Sequence, residues 1–83
     1  MYIVYILKSL KDFGHYIGQT GNIDQRLEFH NKGRVKSTRA RRPLVLIKNE
    51  AYHSRGEARK RENYLKKLKG GNEFKKIIEN RNS

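Results

Sequence analysis

Apolar residues near the start of the chain form an unbroken run instead of alternating with polar ones. Residues 2–7 read YIVYIL, a β-branched and aromatic stretch typical of a strand covered on both faces. Turn-forming residues follow at 11–14, and residues 15–19 then predict a second, shorter strand, so that the two form an antiparallel hairpin. We expect the first strand to be central in its sheet, with Tyr5 and Tyr16 on one face.

A helix start follows the hairpin. Asn22 with Gln25 three residues later is a capping pattern, and Gly33 suits the left-handed conformation that ends many helices. The pattern therefore predicts a helix from about 22 to 32. Because Arg26 and His30 are four residues apart, they lie on one face of this helix, and we expect the pair at the edge of the core.

The second half of the chain predicts one more strand and two more helices. Residues 44–47 read LVLI and predict a third strand, while a capping box at 54–57 opens a helix that lasts to about residue 69. Asn72 caps a final short helix, with fraying expected beyond Glu79. The predicted fold is a single α+β domain, a small three-stranded antiparallel sheet flanked by helices in the order ββαβα plus a short C-terminal helix.

Composition points to a polyanionic partner. The 83 residues carry 20 Lys+Arg against 8 Asp+Glu, a formal net charge of +12, which favours nucleic acid over an anionic membrane because the apolar residues are needed by the core. The chain has no cysteine, no apolar run that could span a bilayer and no signal-peptide pattern. We therefore expect a soluble cytoplasmic protein, monomeric in solution and not bound to membranes.

The basic segment, residues 33–43, lacks apolar periodicity. It carries five cationic side chains: Arg34, Lys36, Arg39, Arg41 and Arg42. A segment of this kind is expected to be too charged to bury and suited to binding phosphates, although a solvated linker has the same composition.

Five positions in fixed order carry the most specific signal: Tyr5, Tyr16, Arg26, His30 and Glu62. Together with the YIG sequence at 16–18, their order and spacing resemble the GIY-YIG nuclease domain over residues 2–68, especially its short stand-alone members. The first motif reads IVY at 3–5, without the family's glycine, but it retains the tyrosine that carries the chemistry. The resemblance implies metal-dependent cleavage of phosphodiester bonds.

Glu62 and Arg26 each have a functional and a structural interpretation when the residues are taken by themselves. Glu62 borders the apolar stripe of its helix, where an unpaired carboxylate is costly, so a bound divalent ion or a salt bridge must compensate it. Arg26 offers a planar fork that matches phosphate oxygens, or alternatively a structural ion pair. The resemblance favours catalysis: one Mg²⁺ or Mn²⁺ on Glu62, and Arg26 stabilising charge at phosphorus.

The resemblance also assigns roles to the remaining motif residues. It implies that Tyr5 takes a proton from the attacking water while Tyr16 orients the water or a phosphate oxygen; otherwise both are ordinary strand aromatics. His30 would relay a proton or hold the nucleophile, and its alternative role is packing. Gly18 would let backbone or nucleic acid approach closely, although a glycine ending a strand is commonly a turn or bulge.

The predicted function is hydrolysis of DNA phosphodiester bonds, one strand per site. Phosphate contacts position a protein without reading sequence, so we expect low sequence specificity and favour structure-selective cutting of the kind that DNA repair or recombination requires. DNA is favoured over RNA because the aromatic residues are too scattered to form a stacking platform. The alternative is a non-catalytic basic DNA- or RNA-binding module on the same fold.

Overall fold

The computed structural model describes residues 1–79, and the elements within them follow the predicted order. They are β1 (Tyr2–Ser9), β2 (His15–Thr20), α1 (Ile23–Asn31), a 3-10 turn (Arg39–Arg41), β3 (Leu44–Tyr52), α2 (Arg55–Leu68) and α3 (Asn72–Glu79). The strands form one antiparallel sheet in the order β2-β1-β3. The predicted α+β class is therefore confirmed, while the fraying expected beyond Glu79 lies outside the described residues.

β1 occupies the centre of the sheet and is covered on both faces. Val4 and Ile6 point to one face and Tyr5 and Leu7 to the other, as alternation along a strand requires, and all four are buried. Burial on both faces of β1 explains why no polar residue interrupts the apolar run in the sequence.

Two apolar clusters of unequal size lie on the two faces. Beneath α2 and α3 the cluster contains Val4, Ile6, Ile17, Ala58, Leu65 and Phe74. Beneath α1 it contains only Tyr5, Leu7 and Leu44, with partly buried residues around them. Because hydrophobic stabilisation scales with the buried apolar area, the α2–α3 side contributes more of it. The smaller apolar cluster on the α1 side leaves space there for polar side chains.

The helix ends are satisfied as their sequences predict. The Asn22 side chain accepts a hydrogen bond from the Gln25 amide, and the Ser54 side chain accepts one from the Glu57 amide, each at 3.1 Å. Gly33 has a φ of +77°, the left-handed conformation expected after α1. None of the helices within residues 1–79 combines the length and apolar character needed to cross a bilayer.

The length predicted for β3 and the exposure predicted for the basic segment need correction. β3 continues to Tyr52, not 47, because residues 44–52 pair along β1, with a bulge between Ile6 and Leu7. Its polar residues fit an edge strand, and Glu50 there accepts two hydrogen bonds from Arg61, at 2.9 and 3.1 Å. The basic segment is also not wholly exposed, since Thr38 is completely buried.

Candidate active site

Four of the five motif residues meet on the α1 side of the sheet. Pairing of β1 with β2 places Tyr5 beside Tyr16, with ring centroids 6.2 Å apart, so the expected shared face is observed. α1 brings the His30 ring to 5.8 Å from Tyr5 and 4.9 Å from Tyr16. Arg26, one turn earlier on α1, donates a hydrogen bond from Nε to Tyr5 Oη at 3.3 Å. A guanidinium, two phenols and an imidazole thus form one cluster.

His30 lies deeper than its position in the sequence suggested. We expected it at the edge of the core, but its exposed fraction is 0%. Both ring nitrogens have partners, because Nε2 lies 3.0 Å from Tyr5 Oη and Nδ1 lies 2.7 Å from Thr38 Oγ1. Burial is tolerated because each polar atom of the ring is hydrogen-bonded.

The environment keeps the neutral forms of both His30 and Tyr5. Burial lowers the pKa of His30 to about 4, and the positive charge of Arg26 acts in the same direction. Burial also raises the pKa of Tyr5 above its usual value, an effect that the hydrogen bond from Arg26 only partly opposes. Before substrate binds, the phenol therefore retains its proton and faces an uncharged imidazole.

Gly18 is required by the close approach of Tyr5. The two residues are directly opposed in the β1–β2 pairing, and a Cβ at Gly18 would stand 2.7 Å from Tyr5 Oη and 2.8 Å from Tyr5 Cζ. The phenol therefore occupies the space that any side chain at this position would need. Contact of Gly18 with nucleic acid stays a prediction, but this packing is a sufficient reason for the glycine.

Glu62 lies on α2, and each oxygen of its carboxylate has a polar partner. Oε1 accepts a hydrogen bond from the Gln19 amide at 3.0 Å, and Oε2 pairs with Lys66 at 2.8 Å. By strand alternation Gln19 points to the α2 side, one residue after Gly18. The negative charge of Glu62 is nevertheless close enough to be one of the influences that raise the pKa of Tyr5. The fifth motif residue therefore lies beside the cluster.

The donor set at Glu62 fits a hard divalent ion that keeps most of its water. Residues 1–79 contain no group of three or more His, Cys, Asp or Glu that could enclose a metal. Mg²⁺ is commonly held by one or two carboxylates, with waters and substrate phosphates completing its shell. The Glu62 side chain is 14% exposed, whereas Lys66 is 52% exposed, so the lysine is the partner of Glu62 that a bound ion could replace.

The cationic side chains of the basic segment fall into two groups. Arg34, Lys36, Arg39 and Arg42 are all exposed. Arg39 and Arg42 in addition direct Nε to the backbone carbonyls of Gly33 and Arg39, at 2.9 and 2.8 Å. Arg41 pairs with Asp12 of the hairpin turn at 2.8 Å, which holds the pKa of that carboxyl at about 2. Phosphate binding by these residues stays a prediction. Arg41 would bind phosphate while it is still paired with Asp12.

Sequence reasoning missed two residues of this site. Thr38 is the partner of His30 Nδ1, and Gln19 is the partner of Glu62. No periodicity marks Thr38, because it lies in a segment without regular structure. The available signal was chemical: a histidine near a core needs a partner for each ring nitrogen.

A cavity of about 990 Å³ lies away from this cluster, on the side of the sheet that α3 covers. Its lining includes His15, Phe74 and Lys75, and the His15 ring meets Phe74 edge-on at 5.3 Å. No motif residue lines it. Size alone would direct attention there, but the convergent polar groups are on the α1 side.

Comparison with known proteins shows which family the chain resembles. The model of the GIY-YIG catalytic domain matches residues 1–76. A UPF0213 protein of Clostridium perfringens is 45% identical over 82% of this chain and 73% of its own length, and the UPF0213 protein YazA of Bacillus subtilis is 39% identical over 95% and 80%. The solution NMR structure of a UPF0213 protein from Bacillus halodurans superposes with a TM-score of 0.62 at 32% identity, covering 98% of this chain and 86% of that one.

Proposed function

Because this chain belongs to the GIY-YIG catalytic domain family, we propose that it is a divalent-metal-dependent endonuclease that hydrolyses DNA phosphodiester bonds. The observation that carries the proposal is the hydrogen-bonded series Arg26–Tyr5–His30, with the carboxylate of Glu62 beside it. These are the groups that an attack of water on a phosphodiester needs: a route for the proton, a fixed positive charge and an acidic ligand for an ion.

Tyr5 and His30 act together as the general base. Since Tyr5 is protonated at rest, it can take a proton from water only while passing its own to His30 Nε2, 3.0 Å away. With a pKa of about 4, His30 accepts that proton at pH 7 at a cost of ~4 kcal/mol. A phosphate beside Arg26 offsets the positive charge that helps to lower this pKa, so substrate binding makes the transfer easier.

Arg26 and Tyr16 position and stabilise the reacting phosphate. The pKa of Arg26 is raised, chiefly by its hydrogen bond to Tyr5, so its charge is permanent. Its guanidinium, half-buried at the cluster, therefore stabilises the negative charge that grows on the phosphate oxygens. The half-buried Tyr16 can direct its hydroxyl to the water or to a phosphate oxygen.

Glu62 would hold the ion, and Mg²⁺ or Mn²⁺ there would supply Lewis-acid charge for the departing oxygen. Gln19 fixes the carboxylate through Oε1, which leaves the oxygen now paired with Lys66 as the exchangeable one. A single acidic ligand favours one bound ion over a two-metal clamp. One site of this kind cuts one strand at a time.

The substrate is DNA bound with low sequence specificity. A net charge of +12 and the exposed cations at Arg34 and Lys36 support contacts with phosphates, which carry no sequence information. Recognition of flaps, branches or nicks, of the kind used in repair and recombination, fits such a surface better than recognition of a sequence.

Nicking of supercoiled plasmid tests the proposal. The wild-type protein should nick with Mg²⁺ or Mn²⁺ and not with EDTA. Glu62→Gln should slow nicking by on the order of 100-fold or more, while DNA affinity in EDTA changes less than about twofold. Glu73→Gln, which removes an exposed carboxylate on α3, is the matched control and should nick at the wild-type rate.

The opposite result identifies the alternative. If neither the wild type nor Glu62→Gln nicks over a range of Mg²⁺, Mn²⁺ and salt concentrations while both bind DNA, the protein is a basic binding module on the same fold. Equal nicking by both proteins would remove Glu62 from the mechanism. Preference for RNA over duplex DNA of the same sequence, in binding and cleavage, would overturn the assignment of the substrate.

A further inference from the structure

Thr38 is a buried hydroxyl in the middle of the basic segment. Its exposed fraction is 0%, and Oγ1 lies 2.7 Å from His30 Nδ1 and 3.5 Å from the carbonyl oxygen of Val35. A threonine can avoid burial easily in a segment this polar, so its position under α1 needs a reason. The reason lies in which nitrogen of His30 carries the proton.

Counting donors and acceptors assigns that proton to Nδ1. Tyr5 Oη accepts from Arg26 Nε and has one hydrogen of its own to donate. Tyr5 is 1% exposed, and its other partner is His30 Nε2, so this nitrogen must be bare for the phenol to donate. The hydrogen of His30 is then on Nδ1 and is donated to Thr38 Oγ1, while the Thr38 hydroxyl donates to the Val35 carbonyl.

The other tautomer leaves a group without a partner. If Nε2 carried the hydrogen, Tyr5 Oη would accept from both His30 and Arg26, and its own hydrogen would have to find another acceptor in a buried position. Burying an unpaired donor is unfavourable. An imidazole in that form also cannot receive the Tyr5 proton.

We propose that Thr38 is a positioning residue, which holds His30 as the Nδ1–H tautomer so that a bare Nε2 faces Tyr5. The proposal rests on the function proposed above, in which Tyr5 passes its proton to His30. Thr38 acts through His30 and has no contact with the reacting phosphate in this scheme.

The basic segment holds Thr38 in place independently of His30. Thr38 donates its amide hydrogen to the Val35 carbonyl at 3.1 Å, and its own carbonyl accepts from the Arg41 amide at 2.9 Å. The Arg41 carbonyl accepts from the buried Ser9 hydroxyl at 2.6 Å, and the Arg41 side chain pairs with Asp12. The hydroxyl is therefore presented from a backbone anchored on the hairpin, as a support for a catalytic histidine should be.

Two substitutions separate the hydroxyl from the shape of the side chain. Thr38→Val keeps the shape and removes the hydrogen-bonding atom, whereas Thr38→Ser keeps the hydroxyl and removes a methyl group. Nitrogen NMR of protein labelled at its histidines reports the tautomer of His30, and single-turnover nicking reports the rate. Thermal unfolding confirms that each variant is folded.

We expect wild type and Thr38→Ser to show protonated Nδ1. Thr38→Val leaves the Nδ1 hydrogen without its acceptor and should show a smaller fraction of this tautomer. Thr38→Val should slow the nicking step by on the order of 100-fold with DNA affinity unchanged, and Thr38→Ser should restore most of the rate. Wild-type His30 with its hydrogen on Nε2 would overturn the proposal, even if Thr38→Val did not fold. An unchanged tautomer in folded Thr38→Val would do the same.

The tautomer does not depend on activity, so the two proposals fail separately. If wild type has protonated Nδ1 and Thr38→Val shows a smaller fraction of that tautomer, the positioning of His30 by Thr38 holds even where no protein nicks DNA, and only the nuclease proposal fails.

Discussion

Acidification should destabilise this protein through His30 before its carboxylates titrate. In the folded protein His30 has a pKa of about 4, against about 6.5 for an exposed histidine. Below pH 6.5 His30 is therefore protonated in the unfolded chain, whereas in the folded protein it stays neutral down to about pH 4. The contribution of neutral His30 to the free energy of unfolding is fully present above pH 6.5 and is lost as the pH falls. The loss is ~2 kcal/mol between pH 7 and 5 and ~3 kcal/mol in total.

Urea unfolding followed by circular dichroism at pH 7 and pH 5 measures this loss. His30→Gln removes the titrating group, so the wild type should lose about 2 kcal/mol more than the variant over this interval. His15, whose pKa is also lowered by burial and by nearby lysines, contributes equally to both proteins and cancels. The exposed His53, changed to Gln, is the matched control and should leave the wild-type dependence intact.

Two results would refute the reasoning. Parallel pH dependences for wild type and His30→Gln would mean that the folded protein does not resist protonation of this ring. An NMR titration that gives His30 a pKa near 6.5 would contradict its burial between Tyr5 and Thr38 directly, without any variant.

Further predictions follow from packing and from charge. Gly18→Ala drives a methyl group against the Tyr5 phenol, so it should lower the free energy of unfolding by ~1–3 kcal/mol and abolish nicking. Gly21→Ala is the control: its new Cβ has no atom within 4 Å, so the variant should still fold and nick DNA. Anisotropy titrations of DNA against salt should show a log–log slope shallower by ~0.9 for Lys36→Gln than for wild type, and no change for Lys76→Gln on α3; equal slopes for all three would remove Lys36 from the phosphate contacts.

Local sequence patterns were sufficient for most of the fold. The apolar run at 2–7 identified a doubly covered strand, and side chains at Asn22 and Ser54 identified helix starts, because capping and alternation involve residues only a few positions apart. β3 was predicted too short for the opposite reason. Its second half is polar, and what makes it a strand is pairing with β1, a partner more than 40 residues away in the chain.

The candidate site divides in the same way. Sequence order and spacing, through their resemblance to a known family, selected five candidates: Tyr5, Tyr16, Arg26, His30 and Glu62. The sequence did not predict the contacts and protonation states of these side chains. Tyr5 meets Arg26 and His30 at separations of 21 and 25 residues, and Glu62 meets Gln19 at 43, contacts that only strand register and helix packing decide.

The sequence by itself determined which chemical groups this protein has and which local elements carry them, because helix capping and strand alternation are short-range effects. Only the tertiary structure decided that His30 is buried and neutral, that Thr38 is a hydrogen-bond partner of its ring, and that the Tyr5 phenol fills the space beside Gly18. Burial, desolvation and hydrogen-bond pairing are properties of an environment, and that environment exists only once distant segments have packed together.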